Sequence, residues 1–142
     1  MRALLDVNVL IALLDADHAS HSAAMAWFVK HGGDGWASCP ITENGCVRIM
    51  SHPSYPNARA PVVVIERLRD ATKHTAHEFW PDSESLLDRA VIDATRIHGP
   101  RQITDAYLLA LAVINGGRLV TFDGAIGISA VVGAKPRHIV SL

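Results

Sequence analysis

Four acidic residues, Asp6, Glu43, Asp105 and Asp123, lie far apart in the chain, yet each follows or opens an apolar segment. Converging carboxylates repel one another and are driven toward their protonated forms unless a cation neutralises them. A set of this kind makes physical sense chiefly as a site for a hard divalent ion, magnesium or manganese. An ion held there can lower the pKa of water, orient a phosphodiester and stabilise the charge of an in-line displacement, so no protein nucleophile is required. Asp6 follows an apolar strand and precedes an apolar helix, a costly place for a charge without a partner. Small polar residues accompany the acids. Asn8 stands two residues after Asp6 and Thr121 two before Asp123, spacings that put each pair on one side of an extended backbone. There they would orient carboxylates or water. Thr104 precedes Asp105 and is placed to cap a helix, whose N-terminus favours an adjacent anion.

The elements that must position these residues follow from periodicity. Leu4 and Leu5 predict a short buried strand with Asp6 at its C-terminal end, and residues 9–14 begin a helix. Ala23, Ala24, Trp27 and Phe28 recur at helical spacing within 20–30, and Gly32-Gly33 stops the run. A second strand is expected over 36–38. Pro40 suits the first position of a helix, where its missing N–H would have no partner, and 41–50 continues that helix with Glu43 in its first turns. Residues 51–61 read as a loop, 62–72 as a helix, 77–80 as a strand and 84–96 as a further helix. The segment 102–115 is apolar nearly all round and closed by Gly116-Gly117, which predicts a core helix with Asp105 in its first turn. Residues 118–122 form a buried strand ending at Asp123, and a last strand lies over 138–141. Strands separated by helices require crossovers. The expectation is one α/β domain over 1–142, a three-layer α/β/α sandwich with a mainly parallel central sheet. Strand ends and helix starts meet at one edge of such a sheet, where ligands bind.

A hydrophobic fraction of 49% against 19% charged residues excludes disorder and calls for a layered core or a partner-covered patch. The formal net charge of −1 supplies no strong positive field for nucleic acid, an argument that weakens if several carboxylates bind cations. Arg48, Arg59, Arg67, Arg69 and Lys73 could gather to meet phosphate. Arg48 lies five residues after Glu43, about 140° around a helix and so off its face, and suits either an RNA contact or a salt bridge. Cys39 and Cys46 form neither a disulfide framework nor a zinc spacing, which favours a reduced, cytoplasmic setting. Asp6 and Asn8 break the only candidate signal sequence, and the apolar run 107–114 is too short to span a bilayer, so no membrane is expected. Two histidine pairs, His74 with His77 and His18 with His21, lack further ligands and read as solvated surface. Trp27, Trp36 and Trp80 read as core or interface residues before base-stacking ones.

The order Leu-Leu-Asp6-Val-Asn8-Val-Leu, then Thr42-Glu43-Asn-Gly45-Cys-Val-Arg48, then Thr104-Asp105-Ala, then Leu-Val-Thr121-Phe-Asp123 resembles the PIN-domain nucleases, specifically the VapC toxins of bacterial toxin–antitoxin pairs. The resemblance covers essentially the whole chain. It implies a Mg2+-dependent endoribonuclease, with Mn2+ as a substitute, whose metal ligands match Asp6, Glu43, Asp105 and Asp123, supported by Asn8 and Thr121. It also implies a cognate antitoxin, a small DNA-binding protein whose C-terminal segment covers the site, and a homodimer that cuts structured RNA, often transfer or ribosomal RNA, in a single-stranded loop. Bases in such loops can be splayed out and read. Two other functions use the same residues. A phosphatase could employ Asp6 as nucleophile, although such enzymes want a second acid where Asn8 stands, and a catalytically silent RNA-binding domain could keep the fold.

Overall fold

Side-chain alternation along short strands divides the core into two halves. In the computed structural model, which describes residues 1–73 and 76–142, β1 (Ala3–Leu5) is flanked by β2 (Trp36–Ser38) and β4 (Arg118–Thr121). The edges are β3 (His77–Phe79) and β5 (Ile139–Ser141), and the order β3-β2-β1-β4-β5 is parallel throughout. Register places Leu4 beside Ala37 and Leu119, and these three pack against α5 (Ile103–Ile114). Leu5, Trp36 and Val120 point the other way, toward α1 (Val7–Leu14), α2 (His21–His31), α3 (Pro40–Met50) and α4 (Pro61–Lys73). The expected three-layer α/β/α arrangement is therefore present, with helices on both faces of the sheet.

Local chemistry explains the elements. Pro40 is the first residue of α3, and Thr42 reaches back so that its hydroxyl accepts from the Cys39 N–H at 3.0 Å, satisfying a donor the helix start leaves free. Seven consecutive residues of α5, Ala106 to Ala112, are buried, as expected for an apolar surface that faces the core all round. The helix ends with Gly116 at φ 65. There the Gly117 N–H donates to Ala112 O at 2.8 Å and the Gly116 N–H to Val113 O at 3.0 Å, the paired bonds of a Schellman stop. Gly117 also lets β4 start close to β1: a Cβ there would lie 2.6 Å from Arg2 O and 2.7 Å from the Trp80 ring. Neither can retreat cheaply. Gly117→Ala is expected to cost about 1–3 kcal/mol through overpacking, seen as a lower urea midpoint with an unchanged slope.

One expected element is absent. Residues 84–96 form turns, an isolated bridge between Ile92 and Val131, and a short 3-10 turn at Ala94–Arg96 instead of a helix. The cause lies in side chains that bond the backbone two residues on: Ser85 accepts from Leu87 N, Asp88 from Ala90 N and Asp93 from Thr95 N. Such bonds offer the chain an alternative to the helical ladder. Ile92 is still buried, and Leu86, Val91 and Ile97 pack against the α5 side of the core. Trp36 and Trp80 are core residues, as expected, and both cysteines are buried free thiols. Among the described residues no helix is long and apolar enough to cross a membrane.

Candidate active site

The C-terminal edge of the sheet collects three of the four acids. Asp6 caps α1 from an extended backbone: its Oδ1 accepts from Val7 N at 2.7 Å and its Oδ2 from the Thr121 hydroxyl at 2.6 Å. The residue is only 8% exposed. Burial pushes its carboxyl above the usual range, and the charge of Asp123 adds to this. Asp105, in the first turn of α5, is likewise raised, by burial first and then by the charges of Asp6 and Asp123. These three aspartates therefore sense one another across the junction of β1, β4 and α5.

Thr121, fully buried, ties the group together. Its hydroxyl donates to Asp6 and accepts from Asn8 Nδ2 at 3.3 Å and from Asp123 N at 3.0 Å, while Asn8 Oδ1 accepts from Phe122 N at 3.3 Å. Asn8 and Thr121, expected on extended backbone beside Asp6 and Asp123, are bonded to each other, and Asn8 is the second residue of helix α1 and does not lie on an extended strand. Its side chain reaches β4 because α1 starts directly beyond β1, next to the end of that strand. Thr104 is not the cap of α5. A 3-10 turn, Pro100–Gln102, runs straight into the helix, leaving Gln102 at the cap position and Thr104 inside the first turn. Thr121→Val removes the donor that holds Asp6 and is expected to lower the rate about 10- to 100-fold, the usual cost of losing a ligand's orienting partner. Cleavage measured across a Mg2+ titration checks this, because a misplaced Asp6 would also shift the midpoint.

Glu43 stands somewhat apart. Its Oε1 accepts from Ser38 Oγ at 2.6 Å, and its charge acts on His77. It borders a groove of about 530 Å³ between α3 and α4, together with Arg48, Ile65, Leu68 and Arg69. Arg48 therefore shares a groove with Glu43 despite its angular offset on the helix. Of the other cations considered together, Arg67 donates to Leu14 O and Lys73 pairs with Asp70 at 3.1 Å.

A second cavity, about 320 Å³, is lined by Asp105 and Asp123 together with Arg96, His98 and Arg101. Arg96, His98 and Arg101, with Ser38 and His77, were missed in the sequence. Ser38 left one signal: it ends a strand just before a helix, as Asp6 does. His77 is no solvated surface group, since it lies half-buried 2.8 Å from Ser38 Oγ and 4.4 Å from the Trp36 ring. His21 likewise bonds Ala12 O at 2.7 Å and His18 accepts from Ser20 N. His74 lies outside the described residues.

Oxygen donors alone suit a hard cation, and two of these carboxyls, Asp6 and Asp105, are raised by burial first and then by neighbouring carboxylate charge. Among the described residues no group of three His, Cys, Asp or Glu side chains stands ready to hold a metal ion. Magnesium usually keeps several waters and can be held by one or two carboxylates, fewer than such a group needs. Asp6, Asp105 and Asp123 are the residues that would hold it.

Comparison with known proteins agrees with this architecture. Residues 3–130 match the PIN domain. The chain is 54% identical over 142 residues to Ribonuclease VapC44 of Mycobacterium tuberculosis, covering the whole of both chains. It is 46% identical over 134 residues to Ribonuclease VapC39 of the same organism, covering 94% of this chain and 96% of that protein. A crystal structure of VapBC2 from Rickettsia felis, bound to a DNA fragment from its promoter, shares the fold at TM-score 0.52 and 14% identity, over 87% of this chain and 89% of that one. The chain belongs to the PIN-domain family and, within it, to the VapC group.

Proposed function

We propose that this chain is the ribonuclease toxin of a toxin–antitoxin pair, an endoribonuclease that hydrolyses RNA phosphodiester bonds with Mg2+, or Mn2+ in its place. The convergence of Asp6, Asp105 and Asp123 on one sheet edge carries the reading, because their mutual charge calls for a cation at the point where ligands of such sheets bind. A bound divalent ion supplies positive charge that activates water and offsets the negative charge of an in-line phosphoryl displacement.

The chain's own residues do the rest. Thr121 and the start of α1 fix the two oxygens of Asp6, so its geometry is set before substrate arrives. The Ala125 N–H holds Asp123 Oδ1 at 2.8 Å, and Ser38 holds Glu43, the fourth acid, at the start of α3. Arg96 and Arg101 line the same cavity as Asp105 and Asp123, and can meet RNA phosphates there despite the net charge of −1. Arg48 adds a contact in the neighbouring groove. The resemblance to VapC toxins implies as substrate a single-stranded loop of a structured RNA, transfer or ribosomal, where bases can be splayed out and read. The partners are a second copy of the chain and an antitoxin whose C-terminal segment covers the site. Exposed Val62, Val63 and Ile65 on α4 are apolar surface that such partners would remove from water. The cytoplasm is the setting.

Purified protein incubated with cellular RNA in Mg2+, Mn2+ or EDTA tests the reading. Cleavage that needs the metal and leaves a 5′-phosphate and a 3′-hydroxyl is expected. Hydrolysis of a phosphomonoester with RNA left intact would replace it by the phosphatase reading. Tight RNA binding without cleavage would replace it by the silent one.

A further inference from the structure

The fully buried Ser38 hydroxyl sits between two groups, 2.6 Å from Glu43 Oε1 and 2.8 Å from His77 Nε2. A hydroxyl has one proton to give, and an ionised carboxylate can only accept. The Ser38 proton therefore goes to Glu43, and the second contact must be donated by His77 as an Nε2–H. The sheet makes this meeting possible. Parallel pairing sets Trp36 opposite His77 and Ser38 opposite Phe79, so all four side chains share one face of neighbouring strands. The His77 ring lies 4.4 Å from that of Trp36 at 57°, which fixes its plane. Arg2, paired with Glu78 at 2.9 Å and donating to Trp36 O, pins the start of β3 to β2.

We propose that His77 is a positioning residue for the nuclease site: its Nε2–H occupies the acceptor side of Ser38, so that the Ser38 proton is aimed at Glu43 and holds that carboxylate in one orientation. His77 touches neither cation nor RNA and acts only through Ser38. With Oε1 held, Oε2 of Glu43 is left to serve the cation or its waters. Without the imidazole donor, Ser38 can turn, and Glu43 gains alternative rotamers over the α3–α4 groove. The charges facing His77 are those of Glu43, Arg2 and Glu78, and burial lowers the pKa of the ring from its ordinary value, which favours the neutral form with one N–H. This inference rests on Glu43 belonging to the nuclease site.

The full-length protein is compared with His77→Phe, which keeps a ring against Trp36 but has no donor, and with His77→Gln, which offers an amide N–H at similar reach. His77→Phe is expected to lower kcat about 10-fold, to leave KM for RNA unchanged and to weaken Mn2+ binding to the metal-free protein. His77→Gln is expected to restore kcat and Mn2+ affinity. In 15N spectra of the metal-free wild type, the His77 ring should carry its proton on Nε2, and Ser38→Ala should shift that resonance. Wild-type behaviour of His77→Phe in kcat and Mn2+ binding overturns the proposal, as does an equal loss in the Phe and Gln variants that follows only their melting temperatures. Should the Phe variant fail to fold, an Nδ1–H tautomer in the wild type overturns it as well. Glu43→Gln, run in parallel, separates the two layers. Full activity there refutes the role of Glu43 and with it the inference, whereas loss there with none in His77→Phe refutes the inference alone.

Discussion

Asparagine at Asp105 is expected to reduce RNA cleavage by at least about 100-fold, beyond the range for losing a merely supporting partner, while making the metal-free protein more stable at neutral pH. The two effects share a cause. Asp105 is raised above the ordinary 3.8 by burial and by the charges of Asp6 and Asp123. The folded state therefore binds that proton more tightly than the unfolded chain does. The stabilising contribution is largest at acid pH and is lost as pH rises through the folded pKa, so at neutral pH the ionised group is a net cost. Asparagine is similar in shape and cannot ionise, and the cost disappears. Mg2+ reverses the comparison: it stabilises the wild type by binding only the folded site, and should barely affect the variant. Melting curves at neutral pH in EDTA and in Mg2+, alongside cleavage assays, test both halves. Undiminished cleavage would remove Asp105 from the mechanism, and a lower melting temperature in EDTA would contradict the electrostatic account.

The second large effect concerns the scaffold. Leu109→Ala is expected to cost about 2–5 kcal/mol, because Leu109 is fully buried in α5 beneath the sheet and its removal leaves a cavity. For a domain of this size that corresponds to a fall in melting temperature of roughly 10 °C. Leu87→Ala is the matched control. Leu87 is 92% exposed in the segment that fails to form a helix, and its loss should stay within about 0.5 kcal/mol. Urea unfolding of both variants measures the contrast, and comparable losses would mean that α5 does not form the core seen here. Such a loss at Leu109 would also release Asp105, since the same helix carries both.

Much of this molecule is written locally. Leu4 and Leu5 before Asp6, Pro40 ahead of Glu43, and the apolar run behind Asp105 place each acid at a strand end or helix start through patterns that span a few residues. Where side chains compete with the backbone, the same patterns mislead. The apolar residues among 84–97 could have packed from a helix, but Ser85, Asp88 and Asp93 divert the chain into turns that still reach the core. Asn8, expected beside Asp6 on an extended backbone, instead reaches Thr121 from a helix, because one residue of offset decides whether α1 has begun.

Sequence by itself determined which residues could be acids of a metal site, which segments are buried and that the sheet is parallel, since composition and period act within short stretches. Only the tertiary structure decided that Asp6, Asp105 and Asp123 share one field while Glu43 accepts from Ser38, which in turn meets His77. It also placed Arg96, His98 and Arg101 in the cavity that Asp105 and Asp123 line. The reason is topological. Charge coupling and hydrogen bonds fall off within a few ångströms, and no local pattern specifies that β2 lies between β1 and β3, the arrangement that brings His77 to Ser38 across 39 residues of chain.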